Sequence, residues 1–243
     1  MAPSSPRARA GERLGRLLAR NRELGAAQRA DEAFTTRLRR LQHWQSLRLQ
    51  ETHADLAADP RYGPGVRFFV EDLYAPKDFA DRDADVERAF PYMVRTLPRG
   101  ALDTAGDAMG LYVLTRELDA GMVEALWDTL GADALDGAAY AEGYRICEAR
   151  DARAEQIDLI RDLAGRLDGL VRSPIVLGAL RVARRPAQLA GLGALQDFLE
   201  RGVSAFHHMG GSQEFVATIT RREHTILERI FTGHPAPFAD PDA

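Results

Sequence analysis

Apolar residues recur every three or four positions along most of the chain, whereas strict alternation of apolar and polar residues is almost absent. The clearest stretch runs from 31 to 58, where Phe34, Leu38, Leu41 and Trp44 fall on one face of a predicted helix. Prolines and glycines interrupt the pattern repeatedly and mark helix ends. The sequence therefore predicts an all-α fold, a single multi-helix bundle-like domain of about eight to ten helices.

The N-terminal part of the chain has a weaker apolar pattern than the rest. From 11 to about 30 the predicted helix is polar, and its apolar stripe is thin. The last residues carry three prolines, which disfavour any continuation of the final helix. We predict three parts: a basic N-terminal tail and polar helix at 1–30, one all-helical domain at 31–234, and an extended C-terminal tail at 235–243.

Composition indicates a globular protein without a membrane span. The chain has 243 residues, of which 45% are hydrophobic and 28% charged, so it can bury a core. No run approaches the roughly 20 consecutive apolar residues that a spanning helix needs. Cys147 is the only cysteine, which excludes an internal disulfide and a cysteine-based zinc site. We expect a protein of the reducing cytoplasm.

Charge is distributed unevenly along the chain. The formal net charge is -4, which argues against a general nucleic-acid binder. Residues 1–40 nevertheless contain ten arginines and four acidic residues, so that the remainder carries a balance of -10. The basic arm, residues 1–40, has two interpretations. It binds phosphate or an acidic partner, or it is a solvated helix face that folds back on the acidic body, which is the rest of the chain.

Aromatic and acidic side chains are concentrated between 68 and 85, in the string FFVEDLYAPKDFADRDAD. The alternating acids at its end do not form an EF-hand loop, because Val86 and Tyr92 occupy the positions that require glycine and glutamate. A mostly apolar pocket is the usual binding site for a small apolar ligand, although core packing explains the same residues. The candidate ligand-binding residues are Trp44, Phe68, Phe69, Glu71, Asp72 and Tyr74.

The same string, with its pattern FFxxDLYxPxDFxxRDxD, resembles a segment of a family of uncharacterised bacterial all-helical proteins. A Met-Gly-Gly segment near the C-terminus and a final Arg-Glu helix that ends in Ile-Phe-x-Gly add to this resemblance. The resemblance covers about residues 40 to 235. It implies a bacterial origin and a single helical domain, and it carries over no catalytic residue.

The histidines suggest a possible metal site. No Glu-x-x-His and no His-Glu-x-x-His motif is present, which argues against a di-iron bundle and a zinc protease. His224 and Glu228 are four apart on the last predicted helix, and a turn at 210–211 would bring His207 or His208 towards them. A surface hydrogen bond and helix-end histidines explain the same spacing.

Haem would need an inward histidine and an apolar cavity, for which His43 and His53 are candidates. A partly buried histidine with a polar neighbour is the simpler explanation of either. We therefore predict a non-catalytic ligand-binding or protein-interaction protein that forms a homo-oligomer, such as a homodimer. The alternative is a metal- or haem-dependent helical enzyme that uses His43 and His53, or His207, His208 and His224. The sequence leaves the identity of any cofactor open.

Overall fold

The computed structural model describes residues 5–73 and 79–242. Its α-helices are α1 (Pro6–Ala30), α2 (Glu32–Thr52), α3 (Ala54–Ala58), α4 (Gly63–Phe68), α5 (Ala80–Thr96), α6 (Arg99–Val123), α7 (Gly137–Ile146), α8 (Arg150–Val171), α9 (Pro174–Leu189), α10 (Gly193–Met209) and α11 (Gln213–Phe231). Two π-helical segments, Phe69–Leu73 and Glu124–Thr129, continue α4 and α6.

The all-α prediction is confirmed, since the described residues contain eleven α-helices, two π-helical segments and no strand. The count exceeds the predicted eight to ten partly because the helix predicted from 31 to 58 is divided at His53 into α2 and α3.

Several helices begin where a polar side chain caps free backbone amides. Asp31 accepts a hydrogen bond from the amide of Phe34 at 2.8 Å, and Asp136 accepts one from Ala139 at 2.8 Å. Pro186 is an exception to the expectation that prolines mark helix ends. α9 continues through Pro186, and the break falls at Gly191, whose φ of +73° favours glycine.

The N-terminal helix packs against α6 of the same chain. Leu14 and Leu18 are buried there in a cluster with Leu102, Met109 and Val113. Although thin, the apolar stripe of α1 is therefore covered within one chain. α1 therefore needs no second subunit to bury this stripe. The homo-oligomer remains a prediction that the packing of α1 does not test.

Ion pairs fix the basic face of α1 on the acidic body. Arg13 contacts Asp107 at 2.6 Å, and Arg20 contacts Glu117 at 2.7 Å. Both acidic partners belong to α6. Of the two interpretations of the basic arm, the structure therefore agrees with a face that folds back on the chain.

The C-terminal tail also lies against the body and follows a series of turns. Phe238 packs edge-on against Trp44, with 5.6 Å between ring centroids. Asp242 accepts a hydrogen bond from Arg222 at 2.6 Å. The tail thus covers one side of the bundle, where α2 and α11 approach each other.

Four long helices, α2, α6, α8 and α11, form the middle of the molecule. α8 packs against α6 on one side and α11 on the other, and α2 packs on α6. Within the described part of the chain, no helix is long and apolar enough to cross a membrane. The space between these four helices contains the candidate site.

Candidate functional site: a buried polar cavity

A cavity of about 90 Å³ lies between α2, α6, α7, α8 and α11. Each of the four long helices contributes one charged side chain to its wall: Arg48 from α2, Asp119 from α6, Arg153 from α8 and Glu223 from α11. Much of the remaining wall is apolar, with Ile157, Ile160, Ile219, Ile226, Leu227 and Ile230 among its residues. Burial of four charged groups is costly unless they are paired, so their partners decide what the site can bind.

Glu223 lies between a guanidinium and an imidazole. Its Oε1 accepts a hydrogen bond from Nη1 of Arg48 at 2.5 Å and lies 3.2 Å from Nε2 of His53. Burial opposes ionisation of Glu223, but the charge of Arg48 and the hydrogen bonds from His53 and Arg48 outweigh it and lower the pKa of the carboxyl to about 2. Glu223 is therefore ionised at neutral pH.

Two buried nitrogens at this end of the cavity have no hydrogen-bond partner among the described residues: Nε of Arg48 and Nδ1 of His53. Since Glu223 is a carboxylate, Nε2 of His53 carries the hydrogen of their shared bond. Nδ1 is then an acceptor in the neutral ring and a donor in the imidazolium. Buried polar groups are normally hydrogen-bonded, so each of these two nitrogens could still form a hydrogen bond with a ligand.

Asp119 is held by a glutamine on the neighbouring helix. Nε2 of Gln45 donates to Oδ1 of Asp119 at 3.1 Å and lies 3.3 Å from the hydroxyl of Tyr140. Burial raises the pKa of Asp119, and the charge of Arg153 and the bond from Gln45 only partly oppose this. The environment of Asp119 therefore favours its protonated form more than that of an ordinary aspartate.

Arg153 is a buried guanidinium that forms no ion pair with a carboxylate among the described residues. It donates instead to Oε1 of Gln156 and to the carbonyl of Leu118, both at 3.2 Å. Its guanidinium also stacks over the ring of Tyr144, 4.5 Å from the centroid. Its direct hydrogen bonds and its ring contact are thus with neutral groups, while Asp119 acts on its charge without a direct ion pair.

The sequence-predicted ligand residues are divided between three places. Phe69 lines the cavity. Trp44 stacks on Tyr140, one of the cavity residues, at 4.1 Å between centroids. Phe68, Glu71 and Asp72 line a separate, more open groove of about 450 Å³ between α4 and α10. Tyr74 lies outside the described residues. The structure therefore does not bring the six together as one pocket.

Asp72 contacts two arginines beside that groove. Nη2 of Arg201 contacts its Oδ1 at 2.8 Å, and Nη1 of Arg82 donates to its backbone carbonyl at 3.3 Å. Glu71 is exposed, whereas Phe68 is buried against Phe198. The contacts of Asp72 and Phe68 hold α10 against the preceding segments, so core packing accounts for them.

The residues of the predicted metal site also lie apart. Nε2 of His208 is 3.0 Å from the carbonyl of Pro60, and His207 is exposed. Nε2 of His224 lies 3.3 Å from Asp158. Glu228 pairs with Arg150 at 2.5 Å. Within 5–73 and 79–242, no three histidine, cysteine or acidic side chains form a group that would hold a metal ion.

The two haem candidates differ in environment. His43 is exposed, whereas His53 is buried and directed at Glu223. A cavity of about 90 Å³ is smaller than the roughly 150 Å³ cavity that accommodates benzene, so it has no room for a porphyrin. The residues around His53 therefore do not fit a haem.

The charged residues of the cavity were not among the predicted site residues, although their positions in the apolar stripes of their helices could have indicated them. Glu223 lies four residues after Ile219 and three before Ile226, so it interrupts the apolar stripe of the last helix. Arg48 occupies the equivalent place four residues after Trp44. A charged residue at a stripe position predicts a buried charge, and a buried charge predicts a partner.

Comparison with known proteins identifies the chain by family alone. A family model described as a domain of unknown function, DUF8198, matches residues 25–237. The chain therefore belongs to the DUF8198 family. No curated protein and no solved structure matches it. The matched range includes all four charged residues of the cavity and begins within α1.

Proposed function

We propose that this protein binds a small carboxylate with a short apolar tail in the cavity between α2, α6, α8 and α11. The observation that carries the proposal is the unmet hydrogen-bonding capacity of the wall. Nε of Arg48 is buried and has no acceptor within the part of the chain that the structure describes, although Nη1 of the same side chain contacts Glu223. A carboxylate oxygen is the acceptor that a guanidinium binds most strongly.

The charges of the wall favour an anion as the ligand. Arg48 pairs with Glu223, whose pKa is about 2, whereas Arg153 forms no ion pair with a carboxylate among the described residues. A ligand carboxylate would give this second guanidinium a direct partner. Neutral or cationic ligands would leave it without one in a buried site.

The apolar wall and the volume limit the size of the ligand. Isoleucine side chains from α8 and α11 offer no hydrogen bonds, so the part of the ligand beyond its carboxylate must be apolar. The cavity of about 90 Å³ is smaller than the roughly 150 Å³ that accommodate benzene. A ligand of a few non-hydrogen atoms fits, such as a short-chain monocarboxylate.

Isothermal titration calorimetry with acetate, propionate, butyrate and hexanoate at neutral pH tests the proposal. Each methylene that enters the apolar part should add about 0.8 kcal/mol, or about fourfold in affinity, until the cavity is full. Affinity should then fall for the longest acid. The corresponding amides should bind more weakly because they carry no charge. An affinity equal for acids and amides, or no binding of any acid, would refute the proposal.

A matched pair of variants on α8 separates the cavity from general charge effects. Arg153→Gln removes the buried unpaired guanidinium, while Arg161→Gln removes an exposed one from the same helix. We expect Arg153→Gln to weaken butyrate binding by at least tenfold, since charge-assisted hydrogen bonds contribute about 1.5–3 kcal/mol. Arg161→Gln should leave the affinity unchanged. Equal effects of both would assign the binding to net charge.

A further inference from the structure

Helix α9 (Pro174–Leu189) has an exposed apolar stripe. None of its described side chains is buried, although other long helices of the chain bury several residues each. Val182 is 78% exposed and Leu189 is 90% exposed. A helix rich in apolar residues is normally covered, so a surface of this kind indicates a contact with something outside the described chain.

The exposed residues form one face with a basic edge. Val182 and Leu189 are seven residues apart, about two helical turns, and therefore lie above one another. Arg185 is three residues from the first and four from the second, and Arg181 is four residues before Arg185. Side chains at these spacings are neighbours on a helix surface. The face thus combines two apolar side chains with two guanidiniums.

The charges on this face have no local compensation. No acidic residue occurs from 169 to 196, although the whole chain has a net charge of -4. Arg184, which points to the packed side, contacts Glu200 at 3.1 Å. Arg181 and Arg185 form no ion pair within the described residues. An anionic surface is therefore the complementary partner.

We propose that α9 docks on the surface of an anionic membrane, with Val182 and Leu189 in the interfacial layer and Arg181 and Arg185 at the lipid phosphates. A bilayer offers both an apolar layer and anionic headgroups along one plane, as interfacial amphipathic helices require. A twofold contact between the α9 helices of two copies fits this face less well, because the arginines would meet each other and find no acid on either helix.

Vesicle co-sedimentation of the full chain tests the proposal. Vesicles of phosphatidylcholine with phosphatidylserine should sediment the protein, and vesicles of phosphatidylcholine alone should bind it much less. Binding should weaken as salt is raised, because the contribution of the headgroups is screened. Arg181→Gln with Arg185→Gln should lower the partition coefficient about 25-fold, at about fivefold for each arginine. Val182→Ser with Leu189→Ser should lower it about tenfold.

The control variant carries the same charge change on another surface. Arg16 and Arg39 are exposed on α1 and α2, so Arg16→Gln with Arg39→Gln removes two guanidiniums without touching α9. This variant should bind as the wild type does, and circular dichroism should show that all variants are folded, since the substituted side chains are exposed.

Three results would overturn the proposal. The first is binding that neither α9 variant changes, or no binding to the anionic vesicles at all. The second is an equal loss in the control variant, which would assign adsorption to general positive charge. The third is a dimer in analytical ultracentrifugation without lipid that Val182→Ser with Leu189→Ser dissociates, since α9 would then be the contact between two copies.

Discussion

Replacement of Glu223 by glutamine tests whether the buried ion pair stabilises the cavity. The change keeps the shape of the side chain but removes the charge that Arg48 contacts at 2.5 Å. Only 11% of the Arg48 side chain and 15% of that of Glu223 are exposed, so water does little to compensate the remaining guanidinium. Loss of one partner of a buried ion pair costs about 3–5 kcal/mol, and we expect an effect of this size at neutral pH.

The effect of Glu223→Gln should depend on pH in a defined direction. The pKa of Glu223 is about 2 in the folded chain against an ordinary value of 4.5. A lowered folded pKa stabilises the fold above the ordinary value, and this stability is lost as the pH falls from about 4.5 towards 2. At 1.36 kcal/mol for each pH unit, the loss approaches about 3 kcal/mol. Glu223→Gln has no carboxyl at this position and cannot lose this stabilisation. The free energies of unfolding of the variant and the wild type should therefore converge as the pH falls.

Urea denaturation at a series of pH values, followed by circular dichroism, measures this convergence. Glu228→Gln is the control, because Glu228 lies on the same helix and also contacts an arginine, but its side chain is 53% exposed. Exposed ion pairs contribute about 0–1 kcal/mol, so the control should track the wild type. A Glu223→Gln curve that stays parallel to the wild type from pH 7 to acid would refute the assigned pKa and the role of Arg48.

Three further substitutions test other parts of the structure. In urea denaturation, Asp119→Asn should gain stability relative to the wild type as the pH rises above 3.8. Burial raises the pKa of the carboxyl in the folded chain, so ionisation of Asp119 destabilises the wild type, and asparagine avoids this cost. Gly202→Ala should lower stability by about 1–3 kcal/mol in thermal denaturation, since a Cβ would lie 2.9 Å from the ring of Phe68; an unchanged Tm would contradict this packing. Tyr140→Phe should cost about 1 kcal/mol by the same denaturation assay, because it removes the hydroxyl that contacts both Gln45 and Tyr144; a neutral result would show that these two contacts contribute nothing.

Much of the fold follows from local features of the sequence. The spacing of Phe34, Leu38 and Leu41 predicted α2, and Asp31 and Asp136 provide caps of the expected kind. Local features can also mislead, since Pro186 lacks a backbone amide hydrogen and would be expected to end a helix, yet it lies inside α9. Gly191, with its positive φ, was the stronger signal.

The candidate site was less predictable because its charged residues are far apart in the sequence. Arg48 and Glu223 are separated by 175 positions, so no motif joins them. Known metal-site spacings join residues of one helix or of two adjacent helices, and such a spacing suggested His224 and Glu228. These two contact Asp158 and Arg150 instead. Only tertiary packing shows which charges on different helices share one cavity.

The way in which the cavity is built connects its stability with its selectivity. Arg48, Asp119, Arg153 and Glu223 each lie on a different long helix, and rigid helices position side chains more accurately than loops do. A buried ion pair adds little stability compared with apolar packing of the same volume. Stability alone therefore does not explain Arg153, a second buried guanidinium that forms no ion pair with a carboxylate among the described residues. The proposed carboxylate ligand would explain it, because the ligand would supply an acceptor for Nε of Arg48 and a direct countercharge for Arg153 at once.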